Sequence, residues 1–237
     1  MGMKINGKEI KCTVILNIPR LVFSSNFNCI INSIVRCGFN ILTAQGVFWE
    51  QALSNGIEAA KDNSEYLLFV DYDSMFTLEN IVNLFTLMVE NPEYDIVCPI
   101  QISRHHNQPL CYHPSIDYDS KFTDIPIGHF GLTIIKSSVF DKIAQPWFMG
   151  IPNKDGKWRE GKTDPDIYFW NKAKENNIKV MQANHICIGH SDELIKWPNG
   201  KTSVTIQTVR EFGSKGPPAN THYGSEVPVV QPLVIPQ

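Results

Sequence analysis

Short apolar runs alternate with helix-periodic stretches along most of the chain. Each run has the length of one β-strand, and the stretches between the runs repeat their apolar residues every three or four positions, as one face of a helix does. The predicted strands are Cys12–Ile18, Asn40–Gly46, Tyr66–Val70, Asp95–Ile100 and Ile178–His190, with one more inside residues 126–143. This alternation is typical of an α/β fold whose mostly parallel strands are joined by crossover helices.

The predicted helices begin and end at residues that suit helix ends. Residues 24–26 (Ser-Ser-Asn) offer N-caps for the first helix, and Gly38 ends it. The second helix spans Phe48–Lys61, and the third runs from a Thr77 cap to about Glu90. Helices therefore separate the first four predicted strands.

Two stretches lack this periodicity. Gln101–Asp124 is a long polar loop, and loops of this length in compact domains often carry function. From Gly213 the chain is rich in glycine and proline, which predicts an extended tail without regular elements. We therefore expect one domain over residues 1–212 and an extended C-terminal tail over residues 213–237.

Composition narrows the class of protein. The 237 residues are 43% hydrophobic and 19% charged, which is ordinary for a globular protein. The formal net charge of -3 gives no broad basic surface for binding nucleic acid or a membrane. This net charge does not exclude a local basic groove. Six scattered cysteines form no recognisable framework, and no run of about 18 apolar residues is present. We expect reduced thiols, no membrane span and a cytoplasmic location.

The stretch YLLFVDYDS leads from a buried strand directly into two acids, Asp71 and Asp73. Ligands of open α/β sheets gather at the carboxyl ends of parallel strands, which is where these acids fall. On an extended backbone both carboxylates point the same way and Tyr72 the other, and converging carboxylates repel unless a cation joins them. Oxygen ligands suit Mg²⁺, Mn²⁺ or Ca²⁺, with phosphate oxygens completing the shell. The triplet Asp117–Asp119 follows no apolar run, so we expect a solvated loop there.

A family resemblance emerges from the order of these features. A strand, a DxD after the third strand, the segment GHFGLTIIKSSVF, the helix start TDPD and a late IGH together resemble a glycosyltransferase of the GT-A fold, with the broad family 2 pattern the nearest match. The helix LSNGIEAA is also similar to the one before the family's DxD strand. The resemblance covers most of residues 11–190. It implies sugar transfer from a UDP- or GDP-sugar to an acceptor hydroxyl, with inversion and with Mn²⁺ or Mg²⁺ as cofactor.

On the donor side, the resemblance implies a metal site and a nucleotide site. Asp73 would bind the metal directly, Asp71 would contact the ribose or reach the metal through water, and His190 matches the histidine that completes the metal site in many members. A strand-end histidine without a metal is the alternative. The nucleotide would lie over the first two strand ends, near Arg20, Gln45 and Asn55.

On the acceptor side, TDPD matches the family's Glu-Asp pair with Thr163 in place of the glutamate. Asp164 is then the candidate general base, and because Thr163 departs from the pattern, Asp166 is the alternative. Helix capping alone would also select these residues. The segment Gly128–Gly131 resembles the family's turn beside the reacting sugar, where Gly131 would let sugar and backbone approach closely.

Other classes of protein share parts of this pattern. A phosphohydrolase of the haloacid dehalogenase type uses a strand followed by DxD, but there the motif opens the domain, and Met75 stands where Thr or Val is usual. A nucleotidyltransferase shares the architecture, but no glycine-rich loop follows the first strand here. A sugar-binding module without activity would show no turnover. A zinc site has suitable residue types without recognisable spacing, in His105, His106, Cys111 and His113.

The acceptor is the least determined part of the prediction. Chain length and the stretches PRLVFSSNF and TAQGVFW are similar to small single-domain glycosyltransferases of bacteriophages, some of which modify hydroxymethylated DNA bases. A DNA acceptor predicts a basic groove, for which the chain offers Lys136, Lys142, Lys154, Lys157, Arg159 and Lys162. The acidic overall balance argues against DNA, so a glycan or a lipid-linked acceptor stays open.

Overall fold

An eight-stranded sheet forms the centre of the first of two units of the chain, Met1–Ser191. The structure is a computed structural model that describes residues 2–18, 23–46, 48–103, 108–111, 116–198 and 204–219. The strands of this unit are β1 (Lys4–Ile5), β2 (Lys8–Glu9), β3 (Cys12–Ile18), β4 (Asn40–Gln45), β5 (Tyr66–Asp71), β6 (Ser74–Met75), β7 (Ile96–Gln101), β8 (Phe122–Asp124), β9 (Leu132–Lys136) and β10 (Val180–His190). Strands β1 and β2 form a separate small hairpin.

The strand order of the large sheet is β4-β3-β5-β9-β7-β10-β6, with β8 paired to β10. Strands β4, β3, β5, β7 and β10 all run in one direction, because β9 lies antiparallel between β5 and β7. The predicted α/β class with a mostly parallel sheet is therefore confirmed. The pattern did not predict the reversal of β9, since an apolar run reports burial and not strand direction.

Helices cover both faces of the sheet. They are α1 (Ser24–Cys29), which continues through a π-helical stretch (Ile30–Ile34) into α2 (Val35–Cys37), then α3 (Trp49–Ala60), α4 (Leu78–Glu90), α5 (Val139–Lys142) and α6 (Pro165–Glu175). Helices α1, α2 and α4 pack in one core cluster, whereas α3, α5 and α6 pack in a second cluster that is rich in aromatic rings. Strands β3 and β5 are buried almost throughout, which explains why their sequences are continuous apolar runs.

The predicted caps Thr77 and Gly38 are confirmed, whereas the predicted N-cap of the first helix is wrong. Thr77 caps α4 in a reciprocal capping box with Asn80, and Gly38 closes α2 in the left-handed conformation with φ 70°. Helix α1 instead begins after Phe23, without a side-chain capping bond. Asn26, predicted as a possible cap, is buried inside α1 because its amide serves another part of the fold.

The second unit, Asp192–Gln237, contains a hairpin followed by a short helix. Its elements are β11 (Leu194–Pro198), β12 (Val204–Thr208) and α7 (Val209–Lys215). A capping box between Thr208 and Glu211 starts α7, so regular structure continues past Gly213, where the sequence predicts the tail to begin. Residues 220–237 lie outside the described part of the chain. Within the described ranges, no helix has both the length and the apolar character needed to cross a membrane.

Candidate functional site

Three neighbouring parallel strands end together at one edge of the sheet. Asn17 of β3 lies opposite Ala44 of β4 and opposite Asp71 of β5, and Gln45 follows Ala44 at the same edge. The carboxyl ends of parallel strands form the usual ligand-binding edge of such sheets. The structure therefore brings two of the predicted nucleotide-side residues, Gln45 and Asp71, to one edge.

Asp71 is held by a buried asparagine that the sequence pattern did not mark as functional. Asn17 Nδ2 donates to Asp71 Oδ1 at 2.8 Å, and Asn17 is buried. The main-chain N–H of Asp71 donates to the carbonyl oxygen of Gly131 at 3.2 Å. The first bond orients the carboxylate, and the second holds the main chain of Asp71 in place. The one available signal for Asn17 was a polar residue inside the apolar run CTVILNI, because a buried amide needs a partner.

A second buried asparagine shapes the loop after Asp71. Asn26 Nδ2 donates to the carbonyl oxygens of Asp71 at 3.1 Å and of Ser74 at 2.6 Å. Buried carbonyl oxygens need hydrogen-bond donors. Asn26 provides them, and the contact ties helix α1 to residues 71–74, the acidic loop.

The strand ends at Asp71, and Tyr72 and Asp73 form a turn. The expectation that both carboxylates point the same way is therefore wrong, since side chains alternate only along an extended strand. Asp71 faces Asn17, whereas Asp73 faces the end of β10. The Tyr72 ring stacks on Phe23 with the ring centroids 6.1 Å apart.

Asp73 and His190 lie side by side in a largely buried position. The short strand β6 pairs antiparallel with the end of β10, which sets Ser74 opposite His190. Asp73 is 2% exposed, and its Oδ2 lies 3.5 Å from His190 Nε2. The main-chain N–H of Ser191 donates to the carbonyl oxygen of Asp73 at 2.7 Å. Two predicted metal ligands that are far apart in sequence are thus brought together by this strand pairing.

The main chain orients the His190 ring. His190 Nδ1 lies 3.0 Å from the carbonyl oxygen of Ile102, and because a carbonyl only accepts, Nδ1 carries the proton. In the neutral ring, Nε2 then presents its lone pair on the side of Asp73. A histidine whose other nitrogen is held by a carbonyl is the usual arrangement of a metal ligand.

The donor atoms at this position fit a divalent cation with few protein ligands. In the part of the chain that the structure describes, no group of three or more His, Cys, Asp or Glu side chains forms a complete metal site. Asp73 and His190 offer one oxygen and one nitrogen donor, while Asp71 is bonded to Asn17. Mg²⁺ and similar cations often take one or two protein ligands and complete their shell with water and phosphate oxygens.

Gln101 packs against Gly131 and is hydrogen-bonded to Ser74 of the acidic loop. Gln101 is buried, and its Nε2 donates to Ser74 Oγ and to the carbonyl oxygen of Gly189, both at 3.2 Å. A Cβ atom on residue 131 would lie 2.2 Å from Gln101 Oε1 and 3.0 Å from Ser74 Oγ. This packing requires a glycine, so Gly131 has a structural role whether or not the donor sugar touches it.

We expect Gly131→Ala to destabilise the protein by about 2–4 kcal/mol, because the added methyl group must displace Gln101 and break its two buried hydrogen bonds. Thermal or urea denaturation measures the change. Gly213→Ala is the matched control, since a Cβ atom there meets nothing within 4 Å. Equal stabilities of the two variants would contradict the packing argument.

The segment Gly128–Gly131 connects helix α6 to the acidic loop. His129 is buried within it, with Nε2 donating to the carbonyl oxygen of Pro99 at 2.8 Å and Nδ1 accepting from the Gly131 N–H at 3.1 Å. Burial lowers the pKa of His129 to about 4, so the ring stays neutral. Its two hydrogen bonds hold the turn in place. A Cβ atom on Gly128 would lie 2.7 Å from the Trp170 ring, so α6 packs directly on this segment.

The two candidate bases have different surroundings. Asp164 is the N-cap residue of α6 without a side-chain capping bond, and its half-exposed carboxylate lies 2.7 Å from Lys162 Nζ. Asp166 lies in the first turn of α6. Burial raises the pKa of its carboxyl, the Ile167 N–H partly opposes that rise, and the nearby charge of Asp164 adds to it. Of the two acids, Asp166 therefore has the environment that suits a proton acceptor.

Asp166 heads the buried stripe of α6. Phe169, Trp170 and Ala173 follow it three, four and seven positions later and are fully buried. Residues at this spacing share one helix face, so Asp166 lies on the face that packs against Gly128. The other end of that segment, Gly131, binds the main chain of Asp71. The packing thus links the face of Asp166 to the acidic loop through one four-residue segment.

The remaining predicted residues are not brought to this site by described contacts. Arg20 lies outside the described residues, as do His105, His106 and His113 of the alternative zinc group. Asn55 is exposed on α3, and its neighbour Gly56 packs against Ile15 in the middle of β3 rather than at its end. A nucleotide contact for Arg20 and Asn55 stays a prediction.

Comparison with solved structures identifies the fold. The chain is similar to A197 from STIV, with a TM-score of 0.56, 14% identity and coverage of 78% of this chain and 88% of that one. It is similar to GalNAc-T7 solved with UDP, GalNAc and Mn²⁺, with a TM-score of 0.54, 11% identity and coverage of 76% and 44%. It is similar to the mannosyltransferase PcManGT from Pyrobaculum calidifontis in complex with GDP-Man and Mn²⁺, with a TM-score of 0.52, 10% identity and coverage of 81% of this chain and 60% of that one.

These likenesses define the architecture as the GT-A fold, which confirms the fold predicted from the DxD, TDPD and IGH pattern. Identities of 10–14% show a common fold and nothing finer. The chain spans less than two thirds of the GalNAc-T7 and PcManGT chains that it matches. A scan against models of protein families gives no match, and neither does a search of curated proteins.

Proposed function

We propose that this chain is a metal-dependent glycosyltransferase that moves a sugar from a nucleotide-diphosphate sugar to an acceptor hydroxyl. The observation that carries the proposal is the meeting of Asp73 and His190 beside the strand edge lined by Asn17 and Asp71. The GT-A fold supports it, since GalNAc-T7 was solved with UDP and Mn²⁺ and PcManGT with GDP-Man and Mn²⁺.

The donor side of the site is assigned to four residues. Asp73 and His190 would hold Mn²⁺ or Mg²⁺, which when bound stabilises the charge that develops on the departing diphosphate. Asp71, fixed by Asn17, is directed to accept hydrogen bonds from the ribose hydroxyls or from water around the cation. Arg20, two residues after the end of β3 in the sequence, stays the predicted contact for the diphosphate or the base.

Asp166 is assigned as the general base, and burial, with a smaller contribution from the charge of Asp164, raises the pKa of its carboxyl. The acceptor oxygen forms a bond to the anomeric carbon while the bond from that carbon to the diphosphate breaks. The hydroxyl proton passes to the Asp166 carboxylate. Because attack and departure occur on opposite faces of the sugar, one displacement inverts the anomeric centre.

The test is the product that the purified chain forms from UDP- and GDP-sugars. With Mn²⁺ we expect release of the nucleoside diphosphate, and we expect EDTA to slow it by at least about 100-fold, because charge stabilisation by the cation is worth several kcal/mol. Added Mn²⁺ or Mg²⁺ should restore the rate. Pyrophosphate release from a nucleoside triphosphate and a sugar 1-phosphate, offered in place of the nucleotide sugar, would indicate a nucleotidyltransferase instead, and a phosphoaspartyl intermediate at Asp71 would indicate a phosphohydrolase. NMR of the product anomer checks the inversion.

A further inference from the structure

The loop that precedes helix α6 displays a tryptophan in solvent. Trp158 is 61% exposed, the largest fraction among the exposed large hydrophobic residues that the structure describes. Burying an indole ring is one of the larger favourable contributions that a single side chain makes to folding, so this exposure calls for a reason.

Hydrogen bonds within the loop hold the backbone on both sides of Trp158. Asn153 Oδ1 accepts from the N–H groups of Asp155 at 3.1 Å and Lys157 at 2.9 Å, and Asn153 Nδ2 donates to the carbonyl oxygen of Glu160 at 3.0 Å. One asparagine thus ties together residues on both sides of Trp158. Binding residues are commonly carried on loops that a scaffold holds in place.

The two ends and the two bends of the loop are also fixed. Ile151 and Thr163 exchange two main-chain hydrogen bonds, at 2.9 and 2.8 Å, which close the base of the loop next to α6. Gly156 and Gly161 adopt positive φ angles of 72° and 82°, a conformation that most other residues avoid. The loop therefore has a fixed conformation and presents Trp158 on its surface.

That surface borders the start of α6. A Cβ atom on Gly150 would lie 3.1 Å from the Trp158 ring and 3.7 Å from Pro165 Cγ, so a single glycine separates the ring from the helix start. Pro165 stands between Asp164 and Asp166 in the chain. A molecule lying on the Trp158 ring is therefore close to Asp166, the proposed general base, and to its neighbour Asp164.

We propose that Trp158 is the platform on which a sugar ring of the acceptor stacks, an inference that rests on the proposed function. A pyranose presents a flat face of C–H groups, which packs on an indole ring, and hydroxyl groups around its rim, one of which must reach Asp166. Ring stacking on Trp also fixes an orientation at low entropic cost, since the side chain has two rotatable bonds.

The residues around the ring carry both signs of charge. Lys157 and Arg159 flank Trp158, and Asp155 and Glu160 lie close to them in the sequence; with Lys154 and Lys162, the loop has four basic and two acidic residues. Hydroxyl groups both donate and accept hydrogen bonds, and this mixture supplies partners of both kinds. A phosphate backbone would be repelled by the two acids, and the formal net charge of -3 over the whole chain also opposes DNA binding.

The experiment measures nucleoside diphosphate release from the preferred UDP- or GDP-sugar in the full chain, without acceptor and with each of two sets of probes. The first set contains methyl pyranosides of glucose, galactose, mannose and N-acetylglucosamine and their disaccharides, and the second contains single- and double-stranded DNA with hydroxymethylcytosine. Trp158→Ala is expected to keep donor hydrolysis within about two-fold and to lower kcat/KM for the stimulating sugars at least about ten-fold, mainly through KM. Trp158→Phe is expected to retain most of the activity.

Phe27→Ala is the matched control, because Phe27 is another exposed aromatic residue, on helix α1, and its loss should leave acceptor kinetics unchanged. Unchanged acceptor kinetics in Trp158→Ala, stimulation by DNA alone, or stimulation by none of the probes would overturn the inference while leaving donor hydrolysis intact. A wild-type protein that hydrolyses no donor would overturn the proposed function itself, and the acceptor platform with it.

Discussion

Asp73→Asn is expected to lower donor turnover by at least about 100-fold while the protein stays folded. Asparagine keeps the shape of the side chain and removes the charge that would hold the cation next to His190. Charge stabilisation of a departing diphosphate is worth several kcal/mol, and each 1.4 kcal/mol is about ten-fold in rate. Nucleoside diphosphate release at saturating donor measures the loss, and Mn²⁺ titration in the presence of UDP or GDP measures the weakened metal affinity.

The chain contains its own control for this substitution. Residues 71–73 and 117–119 have the same sequence, Asp-Tyr-Asp, but Asp119 is exposed in a loop whereas Asp73 is buried beside His190. Asp119→Asn makes the same chemical change at the same position of the second triplet and should leave turnover and Mn²⁺ dependence at wild-type values. If Asp73→Asn behaves like Asp119→Asn, the metal site is wrongly placed.

The fold could be predicted from the sequence because burial determines its pattern. Cys12–Ile18 is a strand with the predicted bounds, and Tyr66–Asp71 extends the predicted strand by one residue, since both lie in the middle of the sheet. Strand direction left no such pattern, so the antiparallel β9 was not foreseen. The hairpin of the second unit was also missed, because its strands expose several apolar residues and read as irregular chain.

The acidic pair could be predicted and its supports could not. Asp71, Asp73 and His190 stand at strand ends, where position in an apolar pattern is informative. Asn17 and Gln101 become relevant only through partners far away in sequence, and no local pattern records such partners. The wrong expectation for the two carboxylates has a local cause, because the alternation rule was extended two residues beyond the end of β5.

The side chains that support the acidic loop are neutral among the residues that the structure describes. Amide groups of Asn17, Asn26 and Gln101 hold it, together with the neutral His129 ring beneath it. Described ion pairs of Lys and Arg side chains lie elsewhere in the chain. A lysine or arginine in these places would neutralise the carboxylates that a cation and its diphosphate require. Among the described residues, neutral donors thus fix the geometry of the loop without adding a charge of their own.

Asp166→Asn is expected to lower sugar transfer by about 100-fold or more, because a positioned general base contributes factors of 10²–10⁴. Its melting temperature should be no lower than that of the wild type, since the substitution removes a carboxylate whose pKa is raised by burial. Loss of activity through unfolding is thereby separated from loss of the base. The acceptor-dependent rate and a thermal melt of the same preparation are the two measurements.

Asp164→Asn should instead retain most of the transfer and change its pH dependence. A base acts only when deprotonated, so kcat/KM falls as the pH drops through its pKa, and a raised pKa puts that fall at higher pH. The charge of Asp164 contributes to the raised pKa of Asp166. Removing that charge lowers the pKa of Asp166, so the fall in kcat/KM moves to lower pH. If Asp164 were the base, its substitution would abolish transfer and Asp166→Asn would spare it. The two pH profiles therefore show which carboxylate takes the proton. Substituting the neighbouring acid shifts the fall in kcat/KM to lower pH, whereas substituting the base abolishes transfer.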